Sequence, residues 1–533
     1  MFKLAIVIGI YSYLIFSLGI FNLLSKTNVI LTTIIYLSLV SLYLIKTNFF
    51  YSININLKNF SNLSKLILFL IVSQAAINLI GVFGPEISFD SLWYHLTLPK
   101  LYLENQNISH FPGIVLYYSN MPKLIEMLYV GALSFDTEIL AKLIHFIFGL
   151  LILVVIYKLS RKFISVEYSL IAALIFYSNL VVGWLSISSY VDLARTFFEV
   201  LSVFAFILFT KNNDRKYLLL SALILGLAIT TKLVSIFSLG IFIILFILAY
   251  VNNRETLEKL IKNIFAFIFV SLCVPAPWFI FSYLNTGNPF YPYFSIPVDG
   301  GSFINIPNLI SLPKDILMVF VNTFDPISPL YLVFIPLLIM LYKKTDIKVK
   351  YLFIYSLIAF FLWYLTQYFR GTRFLLPYLP IFSILCAYAI SMVKEVNFKK
   401  YLILLVIFIS IVSIGYRGFA NAKYIQLFLG SETKNEFLRK NLNFNFGDFY
   451  DTDDYFKNNI KRGDKVLLYG FHNLYYVDFP FIEGSSAKKG DKFNYIAVQN
   501  ANLPVRFSDW KEIYYNKETN VRFYKLNNKL WEY

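Results

Sequence analysis

The sequence is poor in the residues from which most soluble sites are built. Two cysteines in 533 residues, Cys273 and Cys386, exclude a disulfide framework and a thiolate metal cluster. Both fall in apolar runs and read as packing residues. Four histidines are too few to make an all-protein zinc site the first expectation. No cofactor is assigned, and the question of a divalent metal stays open. Charged side chains make up 15% of the chain, where a soluble domain carries roughly 25%. That shortage excludes an ordinary soluble protein over most of the length. No internal repeat is visible, which counts against a secondary transporter built from repeated halves.

What the chain has is apolar surface. Hydrophobic residues make up 58%, with 55 Phe and 40 Tyr. Continuous runs of about 17–21 apolar residues recur, long enough to cross a hydrocarbon core of ~30 Å. They predict about thirteen spans, at 4–24, 29–46, 66–83, 139–157, 168–185, 193–210, 217–231, 233–251, 263–283, 326–342, 351–366, 374–393 and 400–416. The pair at 217–231 and 233–251 demands a very tight hairpin. Because the runs do not alternate, helices rather than a barrel are expected. No small-residue cleavage site follows the first run, so it reads as a retained helix. The fold class is therefore an all-α polytopic membrane domain over residues 1–416.

Lys and Arg crowd alternate loops, for example Lys158, Arg161 and Lys162, or Lys343, Lys344, Lys348 and Lys350. The opposite loops hold far fewer, among them Lys26, Lys100, Lys123, Lys314, Arg370 and Arg373. Positive loops stay inside, which places the N-terminus in the cytoplasm. The asymmetry accounts for most of the net charge of +16, so no nucleic-acid partner is implied. Two long loops, about 84–138 and 284–325, then face outward. Beyond Tyr416 the chain turns polar, with strand-like runs at 465–469, 494–498 and 521–525 and helix-like segments at 434–440 and 452–460. Residues 417–533 read as a small α/β domain on the outer face. They contain no CxxC, no Gly-rich phosphate loop and no nucleophile elbow.

Ionisable groups near or inside spans are costly and point to function. Asp90, Tyr94 and His95 follow the third run directly; Asp90 reads as a base, as the N-cap of a helix over Ser91–Leu98, or as both. Asp192, Arg195 and Glu199 share one helical stripe, either a self-neutralised trio or the wall of a site. Glu138, Lys142 and His145, spaced i, i+4 and i+7, also share one helix face and read as an ion pair inside the bundle. Lys232, Arg370 and Arg373, with Lys100, are cations on the cation-poor face. Arginine forks and a Lys point charge suit phosphate oxygens, and snorkelling to lipid headgroups is the alternative.

These residues carry a resemblance. The stretch Phe89-Asp-Ser-Leu-Trp-Tyr-His-Leu-Thr-Leu-Pro-Lys100 resembles the first outer loop of multi-pass glycosyltransferases of the C superfamily (GT-C), in the protein mannosyltransferase and aminoarabinose transferase group. Asn120-Met-Pro-Lys-Leu-Ile-Glu126, Ser189-Tyr-Val-Asp192, Gly226–Lys232, Gly287–Pro292 and Arg373–Pro377 are similar to segments of bacterial members. The resemblance covers roughly residues 60–416. The Asp-Glu pair common in protein mannosyltransferases is absent, since Ser91 follows Asp90, so substrate class is not carried over.

The resemblance implies transfer of a sugar from a polyprenyl-phosphate donor to a lipid, glycan or protein acceptor at the outer membrane face. Asp90 is the expected base, with Asp192 as the alternative base or as holder of a cation. Lys232, Arg370 and Arg373 would stabilise the departing phosphate, while Tyr94, His95 and Lys100 bind substrate. A lipid-linked glycan polymerase and a transporter or flippase of lipid-linked sugars are the rival readings.

Overall fold

A computed structural model of the protein describes residues 1–46, 60–253, 256–295, 312–321, 326–365, 371–461, 463–525 and 531–532. Its helices are α1 (Phe2–Ile20), α2 (Lys26–Lys46), α3 (Asn62–Val82), α4 (Thr97–Asn105), α5 (Leu124–Leu133), α6 (Glu138–Ser160), α7 (Val166–Tyr177), α8 (Leu180–Leu185), α9 (Asp192–Asn212), α10 (Arg215–Thr231), α11 (Ser238–Asn253), α12 (Leu257–Cys273), α13 (Ala276–Thr286), α14 (Leu312–Val321), α15 (Leu330–Leu341), α16 (Ile347–Leu365), α17 (Leu379–Met392) and α18 (Val396–Asn421), followed by the short α19 (Ile425–Phe428), α20 (Lys434–Asn441) and α21 (Tyr455–Asn459). Among the described residues nine helices are long and apolar enough to cross a membrane, or ten if α12 and α13 form one bent span. The protein is an integral, multi-pass membrane protein.

Several of the predicted runs are not simple rods. The run at 168–185 breaks between α7 and α8, because the Asn179 amide donates to the carbonyls of Ile175 (2.9 Å) and Phe176 (2.8 Å) and closes the helix. The run at 263–283 bends by 59° between α12 and α13, next to Pro275, which has no N–H to continue the ladder. The run at 233–251 opens as a 3-10 turn over Leu233–Phe237 before α11.

Burial sorts the helices. Almost all of α9 is enclosed by α6 and α10, whereas α2 turns Leu31, Ile34, Leu39 and Leu42 outward. Outward leucines suit lipid; a helix carrying Asp192, Arg195 and Glu199 does not, and it takes the centre of the bundle. Close approach is built in at Gly226 of α10, where a Cβ would stand 2.7 Å from the Ser271 carbonyl oxygen of α12. Cys386 is buried in α17, but Cys273 is exposed at the end of α12 and so is not a packing residue.

The ion pair expected among Glu138, Lys142 and His145 does not form. The Lys142 ammonium donates to the carbonyls of Gly81 (2.9 Å), in the last turn of α3, and of Gly84 (2.7 Å) and Pro85 (3.3 Å), just beyond it. Glu138 instead meets Lys434 at 2.8 Å. His145 binds the Leu185 and Ser188 carbonyls through Nδ1 (2.9 Å each) and accepts from the Leu193 amide at Nε2 (3.0 Å). The carbonyls left open at helix ends outbid the neighbouring side chains.

After α18, which runs to Asn421, a sheet in the order β2-β1-β4-β6-β5 is built from β1 (Val466–Tyr469), β2 (Phe481–Glu483), β4 (Tyr495–Gln499), β5 (Lys511–Asn516) and β6 (Val521–Lys525). A second, two-stranded sheet pairs β3 (Lys492–Phe493) with β7 (Trp531–Glu532). β1 is parallel to β2 and β4, while β6 is antiparallel to β4 and β5. This C-terminal unit grips the segment that follows α3. Lys100 donates to the carbonyls of Tyr475 (2.9 Å) and Val477 (2.8 Å) and to Asp478 (2.6 Å). The Tyr475 amide bonds the Leu92 carbonyl (3.2 Å), and the Tyr476 hydroxyl bonds that of Glu86 (2.8 Å).

Candidate active site

Four chain segments converge where α3, α8, α10 and α16 end. The first is the turn after α3. Glu86 is buried and its carboxylate accepts from the amides of Ile87 (2.9 Å), Ser88 (2.8 Å) and Ser189 (2.6 Å), which ties this turn to the loop before α9. The chain then enters a single π-turn, Ser91–His95, a form found mostly at functional sites. Asp90 sits at its start without making a side-chain cap, so the capping alternative does not hold. Only its backbone is spent locally, the amide donating to the Tyr190 hydroxyl at 3.0 Å.

The Asp90 carboxylate instead meets Arg373, whose Nη2 lies 2.7 Å from Oδ2. Arg373 is placed by the 3-10 segment Thr372–Tyr378, and its guanidinium lies over the Tyr190 ring at 4.8 Å and the Phe374 ring at 5.2 Å. Its Nε is 3.8 Å from Asp192 Oδ1, the first residue of α9. The same oxygen accepts from Lys232 at 2.9 Å. Lys232 ends α10 in an extended conformation, and its ammonium stands 4.9 Å from the Phe374 ring. Asp90, Asp192, Lys232 and Arg373 thus form one alternating cluster of two acids and two bases.

Exposure separates their roles. The side chains of Asp90 (13%), Lys232 (16%) and Arg373 (17%) reach solvent, whereas Asp192 (1%) does not. A buried carboxylate between two cations is a holder of cations; the accessible one is free to take a proton from a bound molecule. The helical trio expected around Asp192 is therefore split. Arg195 lies 3.8 Å from Glu199 and donates to Ser235 (2.8 Å), while Ser238 donates to Glu199 (2.9 Å), one turn and more deeper along α9.

Beside the cluster lies a second group. His95 Nδ1 is 2.9 Å from Glu126 Oε1, and both are buried. Lys123, also buried, stands 5.8 Å from the Tyr94 ring, which in turn packs on His95 at 4.2 Å. Burial pushes Lys123 down to about 8, against the pull of Glu126. Burial also raises Glu126, but the His95 hydrogen bond and the Lys123 charge outweigh it and hold the carboxyl below its ordinary range. Burial, with Asp90 nearby, keeps the Tyr94 phenol well above its ordinary range and therefore protonated.

Of the residues singled out in the sequence, the fold brings together Asp90, Asp192, Lys232, Arg373 and Tyr94. His95 belongs to the adjoining pair with Glu126. Lys100 does not join them, because the C-terminal unit takes all its donors. Arg370 lies outside the described residues. Sequence reasoning missed Glu86, Glu126 and Tyr190, although a carboxylate between Pro85 and Asp90, or three residues after Lys123, was a visible signal. Among the described residues no three His, Cys, Asp or Glu are grouped to hold a metal.

The sequence model of the dolichyl-phosphate-mannose-protein mannosyltransferase family matches residues 128–281, from α5 to α13. No curated protein matches the chain. Among solved structures, the crystal structure of ArnT from Cupriavidus metallidurans bound to undecaprenyl phosphate is similar at 11% identity and a TM-score of 0.59, covering 86% of this chain and 97% of that one. Its apo form gives 13% identity and 0.58, with 87% and 98% covered. An oligosaccharyltransferase from Archaeoglobus fulgidus matches at 12% identity and 0.47, covering 79% and 64%. The GT-C-like architecture expected from the sequence is the architecture found, and its similarity to the ArnT structure spans 86% of this chain.

Proposed function

We propose that the protein transfers a sugar from a polyprenyl-phosphate donor to an acceptor hydroxyl or amine. The observation that carries this reading is the accessible Asp90 held by Arg373 beside Lys232, in a membrane fold shared with an undecaprenyl-phosphate-bound structure. Asp90 accepts the acceptor proton as the acceptor oxygen or nitrogen attacks the anomeric carbon. The bond from that carbon to the carrier phosphate breaks, and the phosphate keeps the electron pair. Lys232 and Arg373 stabilise that charge, so no separate acid is needed. Attack opposite the leaving group inverts the anomeric centre.

Asp192 keeps both cations in place and acts as a positioning residue. Arrival of the donor phosphate at Arg373 competes with Asp90 for the guanidinium, which frees the carboxylate to act as base once donor is bound. The crowding of Lys and Arg into alternate loops supports a site on the outer face, with a cytoplasmic N-terminus and the C-terminal unit outside. Envelope glycans and lipids of a deletion strain test the reading: loss of one sugar supports it, whereas loss of a polymer ladder, or accumulation of unconsumed substrate on the inner leaflet, overturns it.

A further inference from the structure

The rings beside Asp90 have no part in the chemistry above. Phe89, directly before the base, stacks on His472 with centroids 4.9 Å apart and planes 24° apart, and Phe446 meets it edge-on at 5.1 Å. Trp93, on the π-turn, lies 4.4 Å from His472 and 5.0 Å from Tyr118. Phe446 and His472 come from the C-terminal unit, so the wall next to the base is assembled from two parts of the chain.

Its placement is specified. Gly447 adopts φ +95°, and a Cβ there would stand 2.9 Å from that of His472. The Gly447 carbonyl accepts from the amides of His472 (3.0 Å) and Asn473 (3.1 Å), and Asn473 bonds both Asp448 and His472 Nδ1. His472 Nε2 has no hydrogen-bond partner among the described residues. Rings that serve packing alone are fully enclosed, as Phe449 and Phe456 are in the core of the same unit. Here Phe446 is 60% exposed, and Phe89, Trp93 and His472 are half-buried.

We propose that Phe89, Trp93, Phe446 and His472 form the acceptor subsite and that the acceptor is a carbohydrate. The inference rests on the transferase reading. A pyranose presents a face of C–H bonds that packs on an aromatic face, while its rim of hydroxyls meets a group such as His472 Nε2. Among the described residues no Lys or Arg stacks on these four rings, which suits a neutral sugar. A polypeptide acceptor would call for backbone partners, and these side chains supply none.

The test uses the purified full chain in detergent. Mannotriose, cellotriose and chitotriose, with a Ser/Thr-rich 15-residue peptide, are probed by saturation-transfer NMR, and undecaprenyl phosphate binding is measured on the same samples. At least one trisaccharide should receive saturation on its ring protons, and Phe446→Ala or His472→Ala should weaken it by about fivefold or more, as lost aromatic packing implies. Undecaprenyl phosphate binding should not change in either variant. His472→Asn, which keeps a polar group beside the Gly447 turn, should fall between wild type and His472→Ala. The subsite is overturned if no trisaccharide binds, if binding survives in the Phe446→Ala/His472→Ala double variant, or if the peptide alone binds. Sugar binding without any undecaprenyl phosphate binding supports the subsite and counts against the transferase reading.

Discussion

The carboxylate of Asp90 lies 2.7 Å from the guanidinium of Arg373, a residue of the 3-10 segment that precedes α17. The pair is accessible at both ends, so it serves as a latch between donor and base rather than as a core ion pair. Asp90→Asn should keep the shape of this contact and remove the base. Turnover should fall by roughly 10²–10⁴-fold while undecaprenyl phosphate binding persists. Product formation by the reconstituted variant checks this, and near-normal turnover would remove Asp90 from the mechanism.

Lys232→Gln and Arg373→Gln should each weaken undecaprenyl phosphate binding by about tenfold or more, since charge-assisted contacts contribute roughly 1.5–3 kcal/mol. Arg373→Lys should also be impaired, because an ammonium cannot span Asp90 and the phosphate as a planar fork does. Equilibrium binding of the lipid decides the matter. Wild-type affinity in all three variants would make these cations structural.

Asp192→Asn should act on the fold as well as on binding. It leaves Lys232 and Arg373 with one fewer buried counter-charge, a change that typically destabilises by about 3–5 kcal/mol. A clear drop in melting temperature should accompany loss of lipid binding. Lost binding at an unchanged melting temperature would point to direct contact with substrate instead.

Lys100→Met should leave the acid–base cluster intact and loosen the C-terminal unit, because three acceptors lose their donor at once. Limited proteolysis should cut between the membrane bundle and residues 417–533 faster than in wild type. Unchanged proteolysis would show that the aromatic and Tyr476 contacts suffice to dock the unit.

Burial holds the buried Lys123 at about 8, below its ordinary 10.5. Between those values the unfolded chain binds more protons than the folded one, so stability should rise with pH across that window. Lys123→Met should flatten the melting temperature from pH 8 to 10. A wild-type melting temperature that falls over the same window would contradict the assignment.

Much of the site was legible in the sequence because a membrane chain does not tolerate ionisable groups at random. Asp90, Asp192, Lys232 and Arg373 stood out as charges at the ends of apolar runs, and the length of those runs sufficed to establish a helical membrane bundle. Lys100 and Lys232 were indistinguishable at that level, each a cation near a predicted outer end. Their fates differ because one meets the carbonyls of Tyr475 and Val477 and the other meets Asp192. Phe89 and Trp93 sit in the stretch around Asp90, but nothing marked Phe446 and His472 as their partners, since aromatics are everywhere in this chain. Composition and periodicity settle which segments leave water, because transfer into lipid depends on each segment alone. Which charge pairs with which depends on distances between segments far apart in the chain, and only the packed bundle and its docked C-terminal unit decide those.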